Sequence, residues 1–240
     1  ARERGIGSGG VYARDLDLLL AERARRAAEA GLVALPARIP ASRFKDFVSD
    51  PAAVAAQLRR PMPERPYRQT RLGTLFHRWV EERYGTPAGA ADVLDAHGAE
   101  LDDPAGELLE ADRLAELQAT FAASEWANRA PEDVELEIHV TLAGQVVVCK
   151  LDAVYRVHDG VHDHQIVDWK TGKAPRDAED LERKQLQLAL YRLAYAKHTG
   201  IDPERIDAVF YFVADDVVVR PERLYTESEL VALWSTVTRP

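Results

Sequence analysis

Over 240 residues the sequence is 46% apolar and 30% charged, the balance of a water-soluble chain able to bury a sizeable core in one large domain or two small ones. A formal charge of −9 excludes a generally basic nucleic-acid glove. The single cysteine, Cys149, excludes a disulfide framework, a Cys-rich zinc site and an iron–sulfur cluster held by four cysteines of this chain.

No apolar run approaches the ~20 residues of a membrane span and no signal peptide opens the sequence, so no membrane partner and a cytoplasmic location are expected. The only methionine is Met62, so the sequence reads as a piece of a longer polypeptide. Thr171-Gly172-Lys173 lacks the upstream glycine of a phosphate loop, because position 167 is Val, and any ATP-driven motor is expected elsewhere. Charge is uneven: six arginines (59, 60, 65, 68, 71 and 78) face one acid, Glu64, in an otherwise acidic chain. That strip fits either a grip on a nucleic-acid strand or a solvated loop.

Residues 1–10 read as a glycine-containing lead-in, and Leu16–Leu32 as an amphipathic helix packed on something else, closed by Pro36 and Pro40. A short helix starts near a cap at Ser42 and ends at Asp50-Pro51. The period of Leu72, Leu75, Phe76, Trp79 and Val80 predicts a helix over Leu72–Tyr84, with His77 at the edge of the apolar stripe and Gly73 permitting close approach. Loop is expected over Thr86–Asp103, then a helix over Glu107–Ala127 with Leu109, Leu114, Leu117 and Phe121 inward.

Pro131 marks the change to β structure. Val134–Leu142 and Gln145–Val157 form a hairpin about Ala143-Gly144. Alternation puts Val147, Cys149, Leu151, Ala153, Tyr155 and Val157 on one face and Lys150, Asp152 and Arg156 on the other. Asp159-Gly160 turns the chain into a strand ending Val167-Asp168-Trp169-Lys170-Thr171-Gly172, which brings Asp152 and Asp168 onto neighbouring strands. Asp168 and Lys170 share a face: a metal-holding carboxylate beside a charge-steadying ammonium, or an edge-strand ion pair. Only 6 of the 31 basic residues are lysines, so Lys170 is less apt to be generic surface decoration, although Asp-x-Lys taken alone is more often the ion pair. Asp152 might equally pair with Lys150 or Arg156; Glu135, Glu137, His162 and His164 are read as solvated. A helix over Asp180–Gly200 carries Leu186, Ala189, Leu190 and Leu193 inward and Lys184, Gln187, Tyr191 and Tyr195 on an outward ridge. Ile206–Ala214 is an apolar strand, Val217–Val219 an edge strand and Thr226–Ser235 a terminal helix.

In this order the motifs Gly73-Thr74-Leu75-Phe76-His77, Leu151-Asp152-Ala153-Val154, Val167-Asp168-Trp169-Lys170-Thr171-Gly172 and Gln187-Leu188-Ala189-Leu190-Tyr191 resemble the RecB-type branch of the PD-(D/E)XK nucleases. Within it they most resemble the nuclease domains of AddAB- and AdnAB-type helicase–nucleases, from about Ala41 to Val213. The resemblance implies an α/β, restriction-endonuclease-like core, a central mixed sheet flanked by helices, with an added helical N-terminal region: 1–40 as lead-in, 41–240 as the nuclease domain.

It further implies His77, Asp152, Asp168 and the Trp169 carbonyl as ligands of Mg²⁺, with Mn²⁺ as substitute. Lys170 would orient the attacking water, and Gln187 and Tyr191 would contact the strand. Lys184 on the helix ridge and Arg71 and Arg78 in the basic strip are further candidate DNA-binding residues. The implied activity is hydrolysis of single-stranded DNA at a C-terminal module of a motor that resects double-strand breaks. Its partners would be a helicase domain of the same chain and a helicase–nuclease subunit. A catalytically silent DNA-binding or scaffold module is the alternative, although such a module is expected to lose the ligands. Cys149-Lys150 stands where many relatives have a glycine.

Overall fold

Long runs of β-branched and aromatic residues bounded by Pro131, Gly144, Gly160 and Gly200 divide the chain into strands and one long crossover helix. The computed structural model describes residues 15–23, 33–61, 68–85 and 104–238. The expected lead-in over 1–10, the second half of the first helix and the loop over 86–103 lie outside these. Residues 15–23 are helical, but Leu16, Leu18, Leu19 and Leu20 are exposed rather than packed on a neighbour.

Beyond that helix, β1 (Arg38–Pro40) leads into α1 (Ala41–Ser49), α2 (Pro51–Arg59), α3 (Arg68–Arg83) and α4 (Pro104–Ala123). Then come β2 (Asp133–Leu142), β3 (Gln145–Arg156), β4 (His164–Lys170), α5 (Ala178–Thr199), β5 (Ile206–Phe212), β6 (Val217–Val219) and α6 (Glu227–Thr238). Helix α1 begins two residues earlier than expected, from Pro40 rather than from a Ser42 cap, and Asp50 caps α2 by accepting from the Ala53 amide. Residues Arg38–Pro40, expected to close a helix, form a strand instead.

The six strands make one mixed sheet in the order β1-β3-β4-β5-β6, with β2 on the other edge of β3. Strand β3 is the axis. β2 runs antiparallel along its length; on the opposite edge β1 pairs in parallel with Val146–Val148 and β4 pairs antiparallel with Ala153–Arg156. Helix α5 carries the chain from β4 to the parallel strand β5, the connection a parallel pair requires.

Apolar residues on the two faces build two cores. One joins α1, α5 and α6 to the sheet through Phe44, Cys149, Leu190, Phe210 and Trp234; the other joins α3 and α4 through Phe76, Phe121, Trp169 and Tyr211. This is the mixed sheet flanked by helices expected of a restriction-endonuclease-like fold.

Several expectations need correction. Val147, Cys149 and Leu151 belong to the first core, but Ala153 and Tyr155 belong to the second, so the alternation along β3 reverses at Asp152. The cause lies across the ladder: Glu135 has φ 53, and neither it nor Asp152 takes part in the β2–β3 register. Leu109 is exposed, whereas Leu117 and Phe121, two and three turns further along α4, are buried. Tyr191 and Tyr195 are buried, because the second half of α5 lies against α1 and α6 as well as the sheet. His164 is buried too, its Nε2 3.0 Å from Glu132 and its ring beside Tyr195.

Candidate metal centre

The β3 and β4 strands pair as far as Ala153 opposite Val167 and then part. Asp152 fills the fork. Its Oδ2 accepts the Trp169 amide at 2.7 Å, a side-chain bond in place of the next rung. Trp169 points away into the α3–α4 core, with Phe121 edge-on at 5.6 Å, so its backbone is fixed at the fork.

Helix α3 delivers His77 from that side. Gly73, one turn earlier, sits against Thr171: a Cβ there would be 3.4 Å from the threonine hydroxyl, which lets α3 lie close to the end of β4. The His77 Nε2–H donates to the Trp169 carbonyl at 3.1 Å. Its Nδ1 lies 3.6 Å from Asp152 Oδ1 and 3.5 Å from Glu135 Oε1.

Asp168 emerges on the opposite face of β4, toward α5. Its Oδ2 pairs with Lys170 Nζ at 2.6 Å, and its Oδ1 accepts from Gln187 Nε2 at 2.8 Å. Gln187 ties the set together, accepting from Lys170 at 3.2 Å and donating to the Tyr191 hydroxyl at 2.7 Å. His77, Asp152, the Trp169 backbone, Asp168, Lys170, Gln187 and Tyr191 thus meet at one end of the sheet. The other three residues singled out in the sequence are held by acids: Lys184 by Asp180, Arg71 by Glu110 and Arg78 by Glu82.

The charges are strongly perturbed. Burial raises the Asp152 carboxyl to about 7; His77 opposes that rise, while Asp168 and Glu135 add to it. Burial alone would depress His77, but Asp152, then Glu135 and Asp168, lift it to about 9. Lys170 follows the same pattern: its burial is outweighed by Asp168 and Asp152, so it stays protonated. Tyr191 is pushed well above its ordinary value by burial and by the same two aspartates, so it acts as a neutral hydroxyl.

One member was missed in the sequence. Glu135, read there as solvated, is buried to 8% side-chain exposure, with Oε2 2.7 Å from Lys150 Nζ. Strict alternation hid it, since only its left-handed backbone turns it inward. Among the described residues, His77, Glu135 and Asp152 form a group whose donor atoms all lie within 4.8 Å of one another. A nitrogen and carboxylate oxygens, crowded and buried with too little positive charge among them, suit a hard divalent cation.

A model of the PD-(D/E)XK nuclease superfamily matches residues 41–239. The chain belongs to this superfamily. Among solved structures it is similar to a candidate exonuclease from Eubacterium rectale at 13% identity and TM-score 0.52, covering 99% of this chain and 83% of that one. It also matches the protein SSO0001 at 14% identity and TM-score 0.38, over 93% of this chain and 85% of that one. The first likeness bears on the fold alone. No curated protein matches the sequence. Nucleases of this superfamily generally depend on a divalent metal, and this nuclease-like domain carries residues fit to hold one. No helix among the described residues is long and apolar enough to cross a membrane.

Proposed function

We propose that this PD-(D/E)XK domain hydrolyses phosphodiester bonds of single-stranded DNA with Mg²⁺, or Mn²⁺ in its place. It would act in the cytoplasm as the C-terminal module of a RecB-type helicase–nuclease that resects double-strand breaks. Its helicase domain would lie in the same longer chain, with a partner helicase–nuclease subunit beside it. The observation that supports catalysis is the meeting of His77, Asp152, Asp168 and Lys170, from three separate elements, at the β3–β4 fork.

In this reading His77, Asp152 and Asp168 hold the cation; the Trp169 carbonyl, which the resemblance makes a further ligand, accepts from the imidazole and steadies it. A bound divalent cation supplies charge neutralisation at the phosphate and acidifies a water. Lys170, kept protonated by its aspartates, is a donor rather than a base: it orients the attacking water and offsets negative charge on the phosphate. Gln187 fixes the lysine and Asp168 relative to each other, and the Tyr191 hydroxyl beside it positions the strand. Lys184, Arg71 and Arg78 would meet the DNA backbone by exchanging their acidic partners for phosphates.

The test is Mn²⁺-dependent degradation of end-labelled single-stranded DNA by the wild type and by Asp168→Ala. Turnover should fall by on the order of 10²–10⁴-fold in the variant, the range for loss of an electrostatic or acid–base group. Equal degradation by both proteins would overturn the assignment. Mn²⁺-independent DNA binding with no cleavage by either would favour the silent module.

A further inference from the structure

We propose that Glu135 is a direct ligand of the cation, joining His77 Nδ1 and Asp152 Oδ1 beside Asp168. The inference rests on the nuclease reading and adds to it a residue that the family resemblance did not supply. Glu135 Oε1 is buried and meets the His77 imidazole only at 3.5 Å, too long and poorly aimed for a hydrogen bond, while the other oxygen is held by Lys150. A buried carboxylate oxygen so poorly satisfied costs free energy unless something better occupies the place.

That oxygen faces the other two donors. Nδ1 stands 3.5 Å from Oε1 and 3.6 Å from Asp152 Oδ1, and one donor atom from each of the three residues lies within 4.8 Å of the others. Donors so spaced surround a point about 2.1–2.4 Å from each, within the bond lengths of hard divalent cations to oxygen. The imidazole is oriented for this. Its Nε2–H is spent on the Trp169 carbonyl, which leaves Nδ1 as the ring atom facing the acids. A liganding histidine commonly donates its other N–H to a carbonyl in this way. Glu135 thereby takes the ligand position that the resemblance gives to the Trp169 carbonyl.

Mn²⁺ binding by calorimetry on the whole chain, with no DNA present, tests this. Glu135→Gln should weaken affinity at least about 10-fold while the EDTA-treated protein keeps its melting temperature. Lys150→Met, which removes the ion pair but leaves the carboxylate, should bind within about 3-fold of wild type on the same scale. Wild-type affinity in Glu135→Gln, or equal losses in both variants, would overturn the proposal, the second because Glu135 would then act through Lys150. Should Glu135→Gln fail to fold, Glu135→Asp decides, since it keeps the charge and shortens the reach: weakened affinity supports the ligand and unchanged affinity overturns it. A wild type that neither binds Mn²⁺ nor cleaves DNA would overturn the nuclease reading as well, whereas normal cleavage with an indifferent Glu135→Gln would overturn this inference alone.

Discussion

Asp152 does two jobs with two oxygens: one closes the strand fork on the Trp169 amide, the other faces His77. Its raised pKa carries a consequence for stability in the absence of cation. The folded chain holds this proton to about pH 7, while the unfolded carboxyl releases it near its ordinary value of 3.8. Folded-state proton binding therefore contributes stability that is full below pH 3.8 and lost as pH rises through about 7. Urea midpoints in EDTA should fall across that window for the wild type and fall less for Asp152→Asn, which keeps an acceptor for the Trp169 amide. Added Mn²⁺ should raise the wild-type midpoint at pH 7.5 by binding the native state, and leave that of the variant unchanged. Equal pH slopes for the two proteins would show that Asp152 is not the group responsible.

At this scale the sequence was legible wherever spacing alone sets direction. Asp168 and Lys170, two apart on a regular strand, do share a face, and Gln187 and Tyr191, four apart on a helix, do meet. Glu135 was not legible, because its inward aim depends on one left-handed residue that breaks the period from which direction is read.

Helices tell the same story about local rules. The C-terminus of α5 was plain from Gly200, which has φ 76 and returns its amide to the Ala196 carbonyl. The start of α1 misled, since Ser42 looks like a cap but Pro40 occupies that place while pairing in a strand. The outward ridge read for α5 holds only for its first half: Lys184 and Gln187 are half-exposed, but Tyr191 and Tyr195 are buried, because a period identifies one apolar stripe and the Leu186–Ala196 stretch also meets α1 and α6.

Helix α6 offers a test of an element. Thr226 and Glu229 cap its start: Glu229 Oε2 accepts the Thr226 amide and hydroxyl, and Oε1 pairs with Arg223. The Thr226 amide, then Arg223 and the Thr226 hydroxyl, lower the Glu229 carboxyl from 4.5 to about 2. Its contribution to stability is present above pH 4.5 and is lost as pH falls toward about 2. Glu229→Gln should melt below wild type at pH 6, with the gap closing as both are acidified. A gap that persists at pH 2 would mean that the carboxylate charge has no part in the cap.

On the scale of the whole molecule the site depends on both cores at once. His77 comes from α3 on one face of the sheet, Gln187 and Tyr191 from α5 on the other, and both reach the fork only if the sheet between them is formed. That the chain makes such a mixed sheet followed from its order of elements, with a helix joining two strands that must then be parallel. The short first strand did not show, since three residues between prolines carry too little pattern to mark a strand.

That first strand matters for where the chain can be cut. Ile39 is buried, and the Gln145 side-chain amide donates to the Pro36 and Ala37 carbonyls, so these residues are stitched to β3. A fragment beginning at Ala41, where the superfamily match begins, would bare the backbone of Val146–Val148 along an open margin. It should unfold at lower temperature than a fragment beginning at residue 33 and self-associate more readily, measured by melting and by light scattering. Eight residues upstream of the matched region would then separate a well-behaved protein from a sticky one.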